Sequence, residues 1–229
     1  MSSTLPGLVI AVDGTSGSGK SSTSRGVADR LGLRYLDTGA MYRAMTWWML
    51  SHAVDAHDAS AVAAHVGDPV IVSGTDPLAP MITLDGKDVS EEIRSEAVNG
   101  CVSPVATVPE VRARLIALQR AVIADALDGA GIVVEGRDIG TAVWPDAELK
   151  VFVTADPAAR AARRALEEGG SDAAAVRASL ESRDRIDSTQ GGLAVPDGAV
   201  HVDTTPYSLD EVIDQVVALA KGVAERARS

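Results

Sequence analysis

A short apolar run at residues 8–12, which ends before Asp13, is the first clear pattern in the chain. An uninterrupted run of this length, partly β-branched, is typical of a strand buried on both faces of a parallel sheet. A glycine-rich loop follows at 14–19, and residues 20–31 then predict a helix that ends at Gly32, a common C-terminal cap. The chain therefore opens with strand, loop and helix in that order.

Short strands and long helices continue to alternate in the second half of the chain. Residues 132–134 and 149–153 form apolar runs of strand length. An apolar stripe at helical spacing runs through 109–127, and Ser208 with Glu211 forms a capping box before a second stripe near the C-terminus. This alternation predicts an α/β fold in which helices flank a parallel sheet.

One stretch departs from the alternation. Residues 69–73 and 81–84 are apolar runs separated by a turn-rich segment, and Asp85-Gly86 is a tight-turn pair. These features predict a small antiparallel sheet inserted into the fold. The polar, glycine-rich segment at 167–172 is a candidate lid.

Composition bounds the class of protein. A length of 229 residues suits one main domain with room for an insertion, and a hydrophobic fraction of 46% is ordinary for a soluble chain. No apolar run has membrane-spanning length, and residues 1–8 lack the basic and apolar regions of a secretory signal. We therefore expect a cytoplasmic protein with no membrane partner. The single cysteine agrees with a reducing compartment.

The charge pattern favours small anionic ligands. A formal net charge of -11 argues against a nucleic-acid polymer as partner, because such binding needs broad basic surfaces. Seventeen of the 21 basic residues are arginine, whose planar guanidinium binds phosphate through two hydrogen bonds. A genome rich in G and C would produce the same bias, so the positions of the arginines must decide.

The glycine-rich loop carries the strongest functional signal. Residues 14–21 read GTSGSGKS and match the P-loop motif G-x-x-x-x-G-K-[ST] between a strand and a helix. In such a loop the backbone N–H groups bind phosphates, the lysine reaches the β- and γ-phosphates, and the last hydroxyl ligates Mg²⁺. The residues expected to bind a nucleoside triphosphate are Gly14, Thr15, Ser16, Gly17, Ser18, Gly19, Lys20, Ser21 and Ser22, with Ser21 as the metal ligand.

A P-loop alone does not specify the reaction, because GTPases, ATPases and small-molecule kinases share it. The chain lacks the Asn-Lys-x-Asp segment that reads guanine. The strand at 132–134 ends in EGRD at 135–138, not in the Asp or Asp-Glu usual for an oligomeric ATPase. Several arginines are expected at the carboxyl edge of the sheet, where ligands bind: Arg43, Arg137, Arg183 and Arg185. They fit a second ligand that carries a phosphate.

Four segments make the resemblance specific: 37–43 (DTGAMYR), 135–140 (EGRDIG), 183–189 (RDRIDST) and 202–205 (VDTT). Together they resemble the bacterial cytidylate kinase family over nearly the whole chain. The resemblance implies transfer of the γ-phosphoryl group of ATP to CMP or dCMP, with Mg²⁺ as cofactor. We expect a monomer whose partners are small nucleotides.

The same resemblance implies a domain organisation. The fold class is then a P-loop-type parallel sheet flanked by helices, with an inserted acceptor-binding subdomain that contains the small antiparallel sheet, and a short lid. The core would comprise residues 1–38 and 105–229, with the lid at 160–180 within it. The acceptor-binding subdomain would comprise residues 39–104.

The family motifs carry roles onto individual residues. Nine are implied to bind the acceptor: Thr38 and Tyr42 frame the pocket, Arg43 and Arg137 clamp the phosphate, Ser103, Arg112 and Asp138 read the base, and Arg183 and Asp187 hold the ribose. Arg160, Arg163 and Arg164 resemble the lid arginines that approach the donor phosphates. Lys20, Arg137, Arg160 and Arg164 are expected to be catalytic.

The base-reading set also makes chemical sense. Cytosine presents an amino donor beside two acceptors, so a carboxylate facing the amino group and a guanidinium facing the acceptors are complementary to it. Uracil would place a carbonyl against Asp138, and such a mispaired buried group disfavours binding. The alternative is that Asp138 only caps a turn or pairs with Arg137.

Gln190 departs from the family pattern, which usually has an arginine there that touches the acceptor phosphate. Either Arg185 supplies the missing charge, or CMP binding is weaker. Two rival functions also stay open at this point. One is a P-loop kinase for another acceptor, such as UMP with CMP or a metabolite without phosphate. The other is an ATP-binding module without catalytic activity, against which Arg43 and Arg137 argue.

Overall fold

The computed structural model describes residues 7–167, 177–178, 180–181, 184–186 and 194–228. Its helices and strands are, in chain order, β1 (Val9–Gly14), α1 (Lys20–Leu31), β2 (Arg34–Asp37), α2 (Thr38–Ser51), α3 (Ala59–Ala64), β3 (Ile71–Ser73), β4 (Ile82–Leu84), β5 (Lys87–Asp88), α4 (Glu96–Thr107), α5 (Pro109–Leu127), β6 (Ile132–Glu135), β7 (Leu149–Thr154), α6 (Pro157–Glu167), β8 (Val200–Asp203) and α7 (Leu209–Arg228). The structure also contains a 3₁₀ turn at Glu92–Arg94 and a π-turn at Ile139–Val143.

A parallel sheet with strand order β2-β6-β1-β7-β8 forms the centre of the described fold. β1 lies in its middle, where Val12 pairs with Glu135 on one side and with Val151 on the other. The connection from β1 to β2 runs through α1, and the connection that leaves β7 begins with α6, as is usual between parallel strands. The predicted α/β fold with a parallel sheet is therefore confirmed. Because β1 is the central strand, the P-loop that follows it lies at the carboxyl edge of the sheet.

Alternate residues of β1 face opposite sides of the sheet. Val9 and Ala11 pack into a hydrophobic cluster with α2 and α5, whereas Ile10 and Val12 pack into another with α1 and α7. Residues 9–14 are all buried. Because both faces are covered, the strand reads as a continuous apolar run and not as an alternating one.

The predicted ends of the helices are largely confirmed. α1 ends with Gly32 in the left-handed conformation at φ 65°, and α5 begins with Pro109 in its first turn. Before α7, the Ser208 backbone N–H donates to Oε2 of Glu211 at 2.8 Å, and the Glu211 N–H donates to Oγ of Ser208 at 3.4 Å. This reciprocal pair is the predicted capping box.

The inserted antiparallel sheet has the order β3-β4-β5. Asp85 and Gly86 have φ values of 53° and 80°, as expected for the two central residues of a tight hairpin turn. Ile71 and Ile82 belong to the same hydrophobic cluster as Val9. The insertion therefore packs continuously onto one face of the central sheet. The assignment of residues 39–104 to a separate acceptor-binding subdomain stays a prediction.

Two further points bear on the sequence-based expectations. Within the described parts of the chain, no helix is both long and apolar enough to cross a bilayer. The predicted lid begins in α6. Of the candidate mobile segment at 167–172, Glu167 ends α6 and residues 168–172 lie outside the described residues.

Candidate active site

The P-loop leaves β1 through a glycine that no other residue could replace without strain. Gly14 has φ 146°, and a Cβ built on it would lie 2.0 Å from the carbonyl oxygen of Val153 in the neighbouring strand. Gly17 and Gly19 also have positive φ values, 72° and 87°. These conformations curl the backbone between β1 and α1, so that the loop opens toward the N-terminus of the helix.

Lys20 lies within this loop. Its Nζ donates to the carbonyl oxygen of Thr15 at 2.6 Å. Burial lowers the pKa of Lys20 to about 7; the charge of Arg137 lowers it further, while Glu135 and Asp184 oppose the shift. A desolvated ammonium beside a second cation gains strongly from an arriving polyphosphate, which suits the predicted role of Lys20.

Glu135 stands at the end of β6, beneath the P-loop. Its Oε1 accepts a hydrogen bond from the Tyr35 hydroxyl at 2.7 Å, and its backbone carbonyl accepts one from Thr38 Oγ1 at 2.7 Å. Burial and the nearby Asp37 raise the pKa of Glu135, while Tyr35, Lys20 and the Ser21 hydroxyl lower it. Carboxylate and hydroxyl oxygens, such as those of Glu135 and Ser21, are the ligand type that Mg²⁺ prefers.

Ser16 is the point where three other segments meet the P-loop. Its Oγ accepts from Arg137, its carbonyl accepts from Arg160 Nη1 at 2.9 Å, and its backbone N–H donates to Asp184 Oδ1 at 3.1 Å. Arg137 also donates to the Gly14 carbonyl. The tip of the loop is therefore held by the segment after β6, by α6 and by Asp184.

The lid arginines are placed differently from one another. Arg160 is buried and pairs with Asp184. Arg163 donates to Oγ1 and to the carbonyl of Thr204, at 2.7 and 2.8 Å, and the Thr204 hydroxyl donates to the Ser18 carbonyl at 3.0 Å. Both arginines thus touch the P-loop or its direct support. The side chain of Arg164 lies outside the described part of the structure.

On the acceptor side, Arg43 connects α2 to the helices that follow the insertion. Its Nη1 donates to Asn99 Oδ1 at 2.7 Å and to the carbonyl of Ile93 at 3.1 Å. α2 itself is capped by Asp37, the residue before its first turn, whose Oδ1 accepts from the Ala40 N–H at 2.9 Å. This cap directs the first turn of α2, with Thr38, toward Glu135 at the sheet edge.

Arg112, Asp138 and Tyr42 form one group. Arg112 and Asp138 are an ion pair, with side chains that are 27% and 10% exposed. Burial raises the pKa of the Tyr42 hydroxyl to about 12; the charge of Asp138 also raises this pKa, whereas the charge of Arg112 lowers it. Ser103 is buried in α4. One alternative for Asp138 was that it only caps a turn. Its side chain does not cap the π-turn that follows it.

Sequence reasoning missed two acidic residues that organise the site. Asp13 is buried at the end of β1 and accepts the Ile139 and Gly140 N–H groups at 2.7 and 2.8 Å. It thereby holds the start of the π-turn, which directly follows Arg137 and Asp138. Burial raises the pKa of Asp13. Asp184 is the other. For Asp13, the available sequence signal was an acidic residue at the end of a buried strand. For Asp184, it was an acidic residue between two arginines.

Part of the predicted acceptor site cannot be located. Arg183, Asp187 and Gln190 lie outside the described residues. Their predicted roles therefore stay predictions. The roles predicted for the residues described above stay predictions as well.

Comparison with solved structures identifies the fold. A gluconokinase from Sinorhizobium meliloti 1021 has a TM-score of 0.54 at 15% identity, covering 97% of this chain and 96% of that one. An uncharacterized protein from Eubacterium ventriosum ATCC 27560 has a TM-score of 0.51 at 11% identity, covering 93% and 98%. At such identities the likeness concerns the fold alone.

Sequence relatives are far closer. A cytidylate kinase from Streptomyces griseus subsp. griseus is 56% identical over 217 residues, covering 94% of this chain and 93% of that protein. One from Mycobacterium leprae is 45% identical over 221 residues, covering 93% and 96%. Residues 10–222 match the sequence profile of the family described as cytidylate kinase. The family predicted from the four motifs is thus confirmed, and this chain belongs to the cytidylate kinase family.

Proposed function

We propose that this protein transfers the γ-phosphoryl group of ATP to CMP or dCMP, which yields ADP with CDP or dCDP. The observation that carries the proposal is the contact of Arg137 with Gly14 and Ser16 of the P-loop. This contact places Arg137, which we assign to the acceptor phosphate, against the loop that binds the donor phosphates. Two phosphate groups can therefore be held face to face, as transfer between two nucleotides requires.

The proposed reaction requires little covalent chemistry from the protein. The acceptor is a phosphate that is already ionised near neutral pH, so neither a protein nucleophile nor a dedicated general base is needed. The protein contributes to catalysis by positioning the two nucleotides and by stabilising charge. Lys20 balances the charge on the β- and γ-phosphates, Arg137 bridges the transferred group and the acceptor, and the lid arginines exclude water on closure.

Mg²⁺ fits this site. Ser21 at the first turn of α1 would hold the ion, with Glu135 and Asp37 orienting its water ligands, because Mg²⁺ commonly binds through few protein oxygens plus substrate phosphates. When bound, the ion neutralises charge on the β- and γ-phosphates. Tyr35 would keep the Glu135 carboxylate directed at this position through their 2.7 Å hydrogen bond.

Base selection is assigned to the Arg112–Asp138 pair. The carboxylate would accept from the cytosine amino group, and the guanidinium would donate to its ring acceptors. The pair is preorganised and mostly buried before substrate arrives, which limits the cost of ordering it. We further propose that the protein acts as a cytoplasmic monomer on free nucleotides.

The test is ADP release, coupled to an indicator reaction, with ATP and Mg²⁺ and each of CMP, dCMP, UMP, AMP and GMP in turn. The expected result is fast release with CMP and dCMP and slow release with the others. Equal or faster release with UMP would favour the broader pyrimidine kinase. Release with none of the five would contradict the proposal and favour an ATP-binding module.

A further inference from the structure

Segment 136–140, which follows β6, is attached to β1 at both of its ends. At its first residue, the Gly136 N–H donates to the carbonyl oxygen of Val12 at 3.0 Å. At its end, two consecutive backbone N–H groups donate to Asp13, one to each carboxylate oxygen, at 2.7 and 2.8 Å. The segment is therefore a short loop closed on two neighbouring residues of one strand. The Asp13 side chain forms one of the two closures.

Only Arg137 and Asp138 lie between these two attachments. The proposed reaction assigns the first to the acceptor phosphate and the second to the base. Arg137 extends back to the P-loop, where it contacts Gly14 and Ser16, whereas Asp138 pairs with Arg112. Because the loop is so short, the way in which it is closed sets the direction in which both side chains leave the backbone.

The closure by Asp13 lies in a tightly packed and buried part of the protein. Asp13, Ile139 and Gly140 are all buried. A Cβ built on Gly140 would lie 2.9 Å from Cγ of Pro196, so the turn is packed closely from outside as well. Backbone N–H groups buried in this way need an acceptor within the protein, because losing it leaves them without the hydrogen bonds that water would otherwise supply.

The base of the P-loop is held by different contacts. Asp13 and Gly14 pair with Phe152 and Val153 of β7 as part of the parallel sheet. These contacts involve the backbone and not the Asp13 carboxylate. A change in that carboxylate therefore acts on the loop that carries Arg137 and leaves the strand before the P-loop in place.

We propose that Asp13 is a positioning residue that places Arg137 for phosphoryl transfer and Asp138 for base selection at the same time. This inference rests on the proposed function, which assigns those two roles. Asp13 acts through the backbone of segment 136–140. Misplacing a reacting group by about 1 Å can lower a rate on the order of 100-fold. One buried carboxylate thus controls both turnover and the choice of base.

The experiment compares the unchanged protein with Asp13→Asn in three quantities: kcat with CMP, the preference for CMP over UMP in kcat/KM, and the dissociation constant of a non-hydrolysable ATP analogue with Mg²⁺. The asparagine amide keeps one acceptor oxygen but turns an N–H₂ group toward the second backbone N–H, which breaks that attachment. We expect kcat and the preference each to fall about 10-fold or more, whereas affinity for the analogue stays nearly the same.

Glu148→Gln is the matched control. Oε2 of Glu148 accepts the Val9 N–H at 2.8 Å at the opposite end of β1. The same change from acid to amide is thus made against the same strand, away from the P-loop, and all three quantities should stay unchanged. Asp13→Glu keeps both oxygens on a longer side chain, so it should lower kcat and the preference less than Asp13→Asn. It replaces that variant if thermal unfolding shows that the asparagine protein does not fold.

Amide hydrogen exchange reports the closure of the loop without any reaction. Exchange at Ile139 and Gly140 should become faster in Asp13→Asn. Four outcomes would overturn the inference: unchanged exchange, an unchanged kcat, an unchanged preference, or a loss of affinity for the ATP analogue as large as the loss of kcat. The last would mark general damage to the P-loop. Failure of the proposed function looks different, because the unchanged protein would then release no ADP with CMP.

Discussion

Arg112 on α5 and Asp138 beyond β6 form an ion pair whose carboxylate is almost entirely shielded from water. The two residues are 26 positions apart in the chain, and their pairing depends on how α5 packs beside β6. The pair presents an acceptor and donors side by side, as the proposed recognition of the cytosine edge requires.

Replacing Asp138 with asparagine should therefore weaken base discrimination. The amide can donate to the uracil carbonyl but cannot accept as strongly from the cytosine amino group, so the preference for CMP over UMP in kcat/KM should fall roughly 10- to 100-fold. The KM for ATP is the internal control and should stay nearly constant. A preference equal to that of the unchanged protein would contradict the base-reading role.

Arg137 is expected to act mainly on turnover. Arg137→Ala removes the cation between the two phosphate sites, and kcat should fall by about 100-fold or more. Arg34→Ala, which removes a partly exposed arginine paired with Asp125, should leave kcat nearly unchanged. Both variants should unfold thermally within a few degrees of the unchanged protein. Retained turnover in Arg137→Ala would refute the role.

ATP binding should depend on pH through Lys20, whose pKa is lowered to about 7 by burial and by Arg137. A bound polyphosphate favours the charged ammonium and raises that pKa. Above pH 7 binding must then take up protons, and affinity should fall as the pH rises further. Calorimetry at pH 8 in buffers of different ionisation enthalpy measures this uptake.

Lys20→Arg supplies the control for that measurement, because a guanidinium does not titrate in this range. Proton uptake in the variant should shrink or reverse in sign. Glu135, whose pKa is raised by burial, contributes what remains. Identical uptake in both proteins would show that Lys20 is already fully charged without ATP.

The backbone of the P-loop offers a stability test. Gly14→Ala places a methyl group against the Val153 carbonyl and at an unfavourable φ, so it should lower the free energy of unfolding by more than about 2 kcal/mol. Gly67→Ala is the matched control, because no atom lies within 4 Å of the added Cβ. It should change stability by less than about 1 kcal/mol. Urea unfolding of both variants measures these changes. Similar unfolding midpoints for the two variants would count against the steric argument.

Gln190 stands where the family usually has an arginine for the acceptor phosphate. Gln190→Arg is expected to lower the KM for CMP while leaving the KM for ATP nearly unchanged, since the added cation should reach only the acceptor. An unchanged or raised KM for CMP would indicate that another arginine, such as Arg185, already supplies this charge.

The elements that the sequence predicted well are those whose signals are local. The P-loop is read from glycine spacing, α1 from its flanking glycines, and the capping box of α7 from two residues in one turn. α4 was not predicted, and it carries Pro104 inside the helix, where local propensity argues against helical structure. Tertiary packing of its apolar face overrides that local preference.

By itself, then, the sequence determined that the chain is an α/β protein with a P-loop, and its motifs identified the family. The acceptor residues that those motifs imply stay predictions. Only the tertiary structure decided which side chains meet. Ser16 and Asp184 are 168 positions apart, yet they share a hydrogen bond at the loop tip. Such contacts depend on strand order and helix packing, which arise from the whole core at once, so the residues around Ser16 or Asp184 in the sequence do not reveal which distant partner each one meets.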